Sequence, residues 1–222
     1  MATAFITGTN RGIGFELVRQ YAAEGWRVHA ASRHPQSCES IHGEVFSHHL
    51  DVADARQIAN LGAELQAESF DVVINNAGVY CPETETLDTF SVAKWDTCVR
   101  VNALAPLLIA RALLGSLSPA DAKLVNISTR NASMALATDN GFGYGASKAA
   151  LNAITKSLSV DLAARGVAVL AITPGWVRTD MGGDDADLGV EESVAGIRTV
   201  IAQATMANSG QFLAHDGEVV PW

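Results

Sequence analysis

Short apolar runs alternate with longer helical patterns along almost the whole chain, and no other feature restricts the fold as much. "TAFIT" (3–7), "RVHAAS" (27–32), "EVFSHHL" (44–50), "FDVVINNAG" (70–78), "AKLVNIS" (122–128), "VAVLAIT" (167–173) and "GQFLAHDG" (210–217) read as strands. Helical spacing covers 14–25, 55–68, about 91–117, roughly 143–165 and 191–206. Gly25 and Gly166 mark two helix ends. Repeated β-α-β units bring strands together in parallel and place helices on both faces of the sheet. One α/β domain over 1–222 is expected, since no linker or repeat interrupts the pattern. "GGDDADLGVEES" (182–193), rich in Gly and Asp, is expected as a mobile surface loop.

Hydrophobic residues make up 48% of the chain, enough for a sizeable core. The net charge of −9, with 15 basic residues and no basic run, argues against nucleic acid and anionic membranes as partners. "ALAPLLIARALL" (103–114) is too short to span a bilayer and contains Arg111. Cys38, Cys81 and Cys98 are odd in number and widely spaced, so they are expected as free thiols in a reducing cytoplasm. "MATAFITGTN" runs straight into a strand without a basic signal-peptide region. His34, His42, His48 and His49 scatter over a strand and a loop, and no metal site is expected from them. No G-x-S-x-G hydrolase elbow occurs.

Chemistry enters at the strand ends. "TGTNRGIG" (7–14) follows the first strand and opens the first helix, with Gly8, Gly12 and Gly14 spaced G-x-x-x-G-x-G. Such glycines let the backbone turn sharply and approach a pyrophosphate, and the helix N-terminus offers N–H groups to its charge. No G-K-[ST] follows, so this is not a P-loop. The second strand ends in "AASRHP", with Arg33 where a carboxylate would hold the ribose 2′-hydroxyl of NAD. Arg33 and Arg11 together favour the 2′-phosphate of NADP, with NAD the less expected cofactor.

"YGASK" (144–148) puts Tyr144 and Lys148 four residues apart near a helix start, on one face. A phenol ordinarily titrates near pH ~10. A neighbouring ammonium and a helix N-terminus are expected to lower this, giving an acid–base group usable near pH ~7–8. "LVNISTRNASM" (124–134) adds three hydroxyls at the tip of the fifth strand.

These pieces resemble the short-chain dehydrogenase/reductase family. The match rests on "TGTNRGIG", "LDV" (50–52), "NNAG" (75–78), "VN" (101–102), "YGASK" and "PGWVRTD" (174–180), in the family's order along the whole chain. The short tail "GQFLAHDGEVVPW" is similar to the small carbonyl-reductase and C-factor-like branch. The resemblance implies a Rossmann-type doubly wound parallel sheet of about seven strands. It implies NADP held by Gly8, Asn10, Arg11, Gly12, Ile13 and Gly14, with Arg33 on the 2′-phosphate. Asp51 and Val52 would take the adenine; by sequence alone, Asp51 could equally cap the helix at 55. Asn76, Ala77 and Gly78 would pass beneath the ribose. Pro174, Gly175, Val177 and Thr179 would shape the nicotinamide pocket, with Thr179 on the carboxamide.

Tyr144 would then protonate the substrate oxygen as hydride arrives, and Lys148 would bind the nicotinamide ribose. Asn102 would hold a water of a proton relay, or simply bond to backbone inside its helix. Thr129 stands where the family has a serine hydroxyl for the substrate oxygen. Period-two alternation turns Ser128 to the other face, and Ser133 is a second hydroxyl at the pocket's border. The stretch from there to Tyr144, containing "ATDNGFG", is slightly long for the family. The implied activity is hydride transfer between NADP(H) and a small carbonyl or alcohol. The alternative is a non-catalytic NADP-binding sensor or signalling protein on the same fold. The small-residue stripe Ala146, Ala150, Ala153, Ser157 and Ala164 would pack either inside the chain or in a homodimer.

Overall fold

The computed structural model describes residues 1–84, 86–118, 121–136 and 141–222, with Glu83 described by its backbone alone. Residues 137–140, part of the long "ATDNGFG" stretch, therefore lie outside the described residues. The strands are β1 (Thr3–Thr7), β2 (Arg27–Ser32), β3 (Val45–His49), β4 (Val72–Asn75), β5 (Lys123–Ile127), β6 (Ala168–Thr173) and β7 (Phe212–Ala214). All pair in parallel, in the order β3-β2-β1-β4-β5-β6-β7. Strand order reverses at β1 and β4, the place where an open α/β sheet leaves a crevice at its carboxyl edge.

Among the described residues, six α-helices, α1 (Gly12–Ala23), α2 (Ala55–Glu64), α3 (Val92–Val99), α4 (Ala105–Ala112), α5 (Ala146–Asp161) and α6 (Val190–Ala202), cover the sheet. On one face, Leu17 and Val18 of α1 and Val194 and Ile197 of α6 pack on Ile6, Ile74 and Val125. On the other, Ile58 of α2, Ile109 of α4 and Leu158 of α5 pack on Phe5, Val73 and Leu124. Phe5 and Ile6 thus serve opposite cores, as the pleat requires. Burying each such side chain fully contributes about 1.5–3 kcal/mol. Gly62 lets α2 touch α4: a Cβ there would lie 2.8 Å from the Ala112 carbonyl oxygen.

The elements depart from the sequence pattern in informative ways. The single helix expected over 91–117 is α3 and α4 joined by a π turn at Arg100–Leu104. A second π turn, Gly141–Gly145, precedes α5, so Tyr144 lies just before that helix. The small-residue stripe faces solvent, with Ala146, Ala153, Ser157 and Ala164 exposed, so it does not pack on the sheet. The 182–193 segment is laced rather than loose. Arg178 donates to the carbonyls of Ala186 (2.7 Å) and Asp187 (3.0 Å), and Trp176 Nε1 donates to that of Gly182 (2.8 Å). Among the described residues, no helix is long and apolar enough to cross a membrane.

Candidate active site

The glycine turn leaves β1 with Gly8 at φ 73° and Gly12 at φ 56°, both in the left-handed region that favours glycine. Asn76, just past β4, ties it down by donating to the carbonyls of Thr7 (2.9 Å) and Gly8 (3.1 Å). Thr7 Oγ1 accepts from the N–H groups of Asn76 and Ala77, both at 3.1 Å. Gly14 faces this knot: a Cβ would lie 2.2 Å from the Gly8 oxygen and 2.4 Å from Asn76 Nδ2. Among the described residues no side chain caps the start of α1, which leaves its first N–H groups open to a ligand.

From this turn a cleft of about 470 Å³ runs along the carboxyl edge of the sheet. Gly8, Asn10, Arg11, Gly12, Ile13, Gly14, Arg33, Asp51 and Val52 line one end; Asn76, Ala77 and Gly78 the middle; Tyr144, Lys148, Pro174 and Thr179 the other. Asp51 accepts from the Ala53 N–H at 2.9 Å, while Asp54 caps α2 through the N–H groups of Arg56 and Gln57. The capping alternative for Asp51 is thereby removed. Arg33 is exposed at the tip of β2 and forms no ion pair among the described residues. Arg11 instead pairs with Asp180 across the cleft mouth, both side chains exposed.

The reacting end gathers side chains from separate elements. Lys148 is buried and its Nζ donates to the Ile127 carbonyl at 2.7 Å. Burial lowers its pKa to about 8. Tyr144 goes the opposite way from the sequence expectation: desolvation pushes its phenol up to about 12. A hydrogen bond with the Thr129 side chain favours the phenolate but does not offset burial, and Lys148 is engaged with Ile127 instead. The free protein therefore carries a protonated phenol at neutral pH.

Asn102 sits in the π turn. Its Oδ1 accepts from the Val79 N–H (2.8 Å), and its Nδ2 donates to the Val79 carbonyl (2.9 Å) and Ser147 Oγ (3.0 Å). Ser147 Oγ in turn donates to the Tyr144 carbonyl at 2.8 Å. The Asn102 side chain thus braces the Tyr144 turn rather than facing the cleft. Pro106, four residues on, has no N–H, so the usual helical partner of the Asn102 carbonyl is missing.

Two of the expected nicotinamide-pocket residues lie behind the cleft wall. Val177 is buried and bridges to Leu188, and Gly175 has φ 82° with Leu188 packed where a Cβ would stand. The Thr179 hydroxyl lies within its own turn, 3.4 Å from the Val177 carbonyl, and accepts from the Gly182 N–H (3.2 Å). Ser133 does not border the cleft: it is buried and donates to the Trp222 carbonyl. Ser128 lines the cleft, against the expectation from alternation, while its hydroxyl donates to Asn152 Oδ1 at 2.7 Å; Thr129 is not among the lining residues and joins the site through its hydrogen bond with Tyr144. His48 stacks on His29, with their ring nitrogens 3.0 Å apart. Sequence reasoning missed Val79, Val101, Arg178, Asp180 and Met181, which also line the cleft. It also missed a buried ladder in which Asn75 donates to Asn126 (2.9 Å) and Asn126 to Thr155 (2.8 Å), fixing α5 to the sheet. Of the missed lining residues, Arg178 and Asp180 lie inside the "PGWVRTD" motif and Met181 directly follows it, which is the available signal.

The family model described as short chain dehydrogenase matches residues 2–187. The chain is 40% identical over 157 residues to the C-signal protein of Myxococcus xanthus, covering 68% of this chain and 92% of that one. Its fold matches an NADPH-bound carbonyl reductase from chicken fatty liver at TM-score 0.90 and 30% identity, covering 100% and 99% of the two chains. A carbonyl reductase of Pseudomonas aeruginosa in complex with NADP matches at TM-score 0.87 and 32% identity, with both chains covered completely. Cleft, catalytic-type residues and these likenesses agree: the chain belongs to the short-chain dehydrogenase family.

Proposed function

We propose that the protein is an NADP(H)-dependent oxidoreductase that interconverts a small carbonyl compound and its alcohol. One observation carries this: the Tyr144 phenol, hydrogen-bonded by the Thr129 side chain, and buried Lys148 line one end of a cleft whose other end is an uncapped glycine turn. The cradle fits a dinucleotide, because the position a Gly14 Cβ would fill is the backbone knot that shapes the turn. Gly8, Asn10, Gly12, Ile13 and Gly14 would hold the pyrophosphate, and Arg33 and Arg11 the 2′-phosphate. Asp51 and Val52 would take the adenine, and Asn76, Ala77 and Gly78 the ribose. Pro174, Gly175, Val177 and Thr179 would shape the nicotinamide end, two of them from behind the wall. When bound, the nicotinamide supplies or accepts the hydride.

In the reductive direction Tyr144 donates its proton to the substrate oxygen, and its protonated state at neutral pH is that of an acid. Thr129 donates a hydrogen bond to the same oxygen as negative charge develops there. Lys148 binds the nicotinamide ribose and keeps positive charge near the phenol. The Asn102 carbonyl, lacking its helical partner, can hold the relay water that restores the proton, while its side chain braces Tyr144. That Cys38, Cys81 and Cys98 form no disulfide among the described residues fits a reducing cytoplasm. The exposed stripe on α5 fits a homodimer, which sedimentation would show.

The second reading, a non-catalytic NADP binder, is favoured by the threonine at the serine position and by the name C-signal carried by one relative. NADPH binding and NADPH oxidation measured against ketones, aldehydes and quinones separate the two. Turnover of at least one carbonyl is expected; saturable binding without turnover across the panel would select the binder.

A further inference from the structure

Thr129 lies past the end of β5, on a turn, and the groups that hold that turn come from the last residues of the sequence. Thr129 Oγ1 accepts from the Asn131 N–H at 3.3 Å, so the hydroxyl's orientation is coupled to the backbone of 130–132. Threonine's stiff χ1 strengthens that coupling. Ser133 Oγ accepts from the Leu136 N–H (3.2 Å) and donates to the Trp222 carbonyl (3.3 Å). The same carbonyl accepts from the Ala135 N–H at 3.1 Å. Arg130 pairs with Glu218 at 3.7 Å, but both side chains are more than half exposed and the pair contributes little.

The tail is itself anchored on β7. Leu213 bridges antiparallel to Val219, the Val220 N–H donates to the Phe212 carbonyl at 2.8 Å, and Val220 is buried. The Trp222 ring stacks on Phe212 with centroids 5.7 Å apart and planes 25° apart. Phe212 is fully buried at the sheet edge and provides a rigid base.

We propose that Trp222 is a positioning residue for the Thr129 hydroxyl, a role that rests on the carbonyl-reduction reading above. Its ring on Phe212 fixes its carbonyl, the carbonyl fixes Ser133 and Ala135, and the turn they form fixes Thr129 Oγ1 beside Tyr144. The tail therefore acts on the substrate end of the cleft and leaves the glycine end untouched.

The test compares wild type, Trp222→Ala and Trp222→Phe in the whole chain. Hydrogen exchange over 129–136 is read without cofactor, alongside NADPH affinity and steady-state kinetics on the carbonyl panel. Trp222→Ala is expected to speed exchange at Ala135 and Leu136 about tenfold or more. It should lower kcat about tenfold while the NADPH Kd stays within about twofold. Trp222→Phe, which keeps the stack, should restore most of both. Unchanged exchange and kinetics in Trp222→Ala, or an equal loss of NADPH affinity, would overturn the proposal. If wild type reduces no carbonyl, the enzymatic reading fails separately; exchange then decides whether the tail holds the turn, and unchanged exchange overturns that. Should Trp222→Ala not fold, Trp222→Leu removes the ring but keeps apolar bulk and is judged by the same outcomes.

Discussion

The two ends of the cleft are made of different material. The glycine end is backbone, shaped by left-handed glycines and held by one asparagine, Asn76, with no side chain at the helix start. The reacting end is side chains, with Thr129 after β5, Tyr144 in a π turn, Lys148 in α5 and Asn102 in a second π turn. A backbone site fails when anything is added to it, because added atoms collide with atoms that cannot move. A side-chain site fails when a group is removed, and tolerates a substitute bearing the same group.

The sharpest break should come at Gly14. Its Cβ would fall 2.2 Å from the Gly8 oxygen, so Gly14→Ala must displace the turn. NADPH affinity is expected to fall about 100-fold or more, about 2.7 kcal/mol, by fluorescence titration with the far-ultraviolet circular dichroism retained. Thr129→Ala should do the converse, lowering kcat roughly 10- to 100-fold with NADPH binding nearly intact. Thr129→Ser should keep most of the activity, and a silent Thr129→Ala would move the hydroxyl's role elsewhere.

Smaller effects sharpen the contrast. Arg33→Asp should weaken NADPH about tenfold more than NADH, since only NADPH carries the phosphate its guanidinium would grip. Equal losses for both cofactors would refute that contact. The pH profile addresses the other end. Lys148, with its pKa depressed by burial to about 8, is charged below that pH and loses its proton as pH rises through it. The kcat/KM for NADPH, which reports the free enzyme, should therefore fall above pH ~8. Lys148→Arg should remove the break.

The same contrast explains what the sequence made legible. The glycine turn, the parallel strands and the place of Arg33 just past β2 can be read directly because local spacing dictates local backbone. The π turns could not: 91–117 keeps helical periodicity throughout, and one wider turn leaves the pattern unchanged. The Asn75–Asn126–Thr155 ladder joins residues far apart in sequence, each of which alone reads as an ordinary polar residue. Composition marked 182–193 as polar, but its order comes from Arg178 and Trp176, whose partners only the fold supplies. The tyrosine pKa escapes the sequence for the same reason: neighbours in sequence suggest a lowered value, whereas burial sets the raised one.

The most direct test of a cleft that binds at one end and reacts at the other is Tyr144→Phe. NADPH affinity and carbonyl turnover are measured on the same preparation. Loss of the phenol proton should lower turnover at least about 100-fold, while NADPH Kd changes less than about threefold. Turnover retained in Tyr144→Phe would contradict the assignment of the acid and, with it, the account of the reacting end.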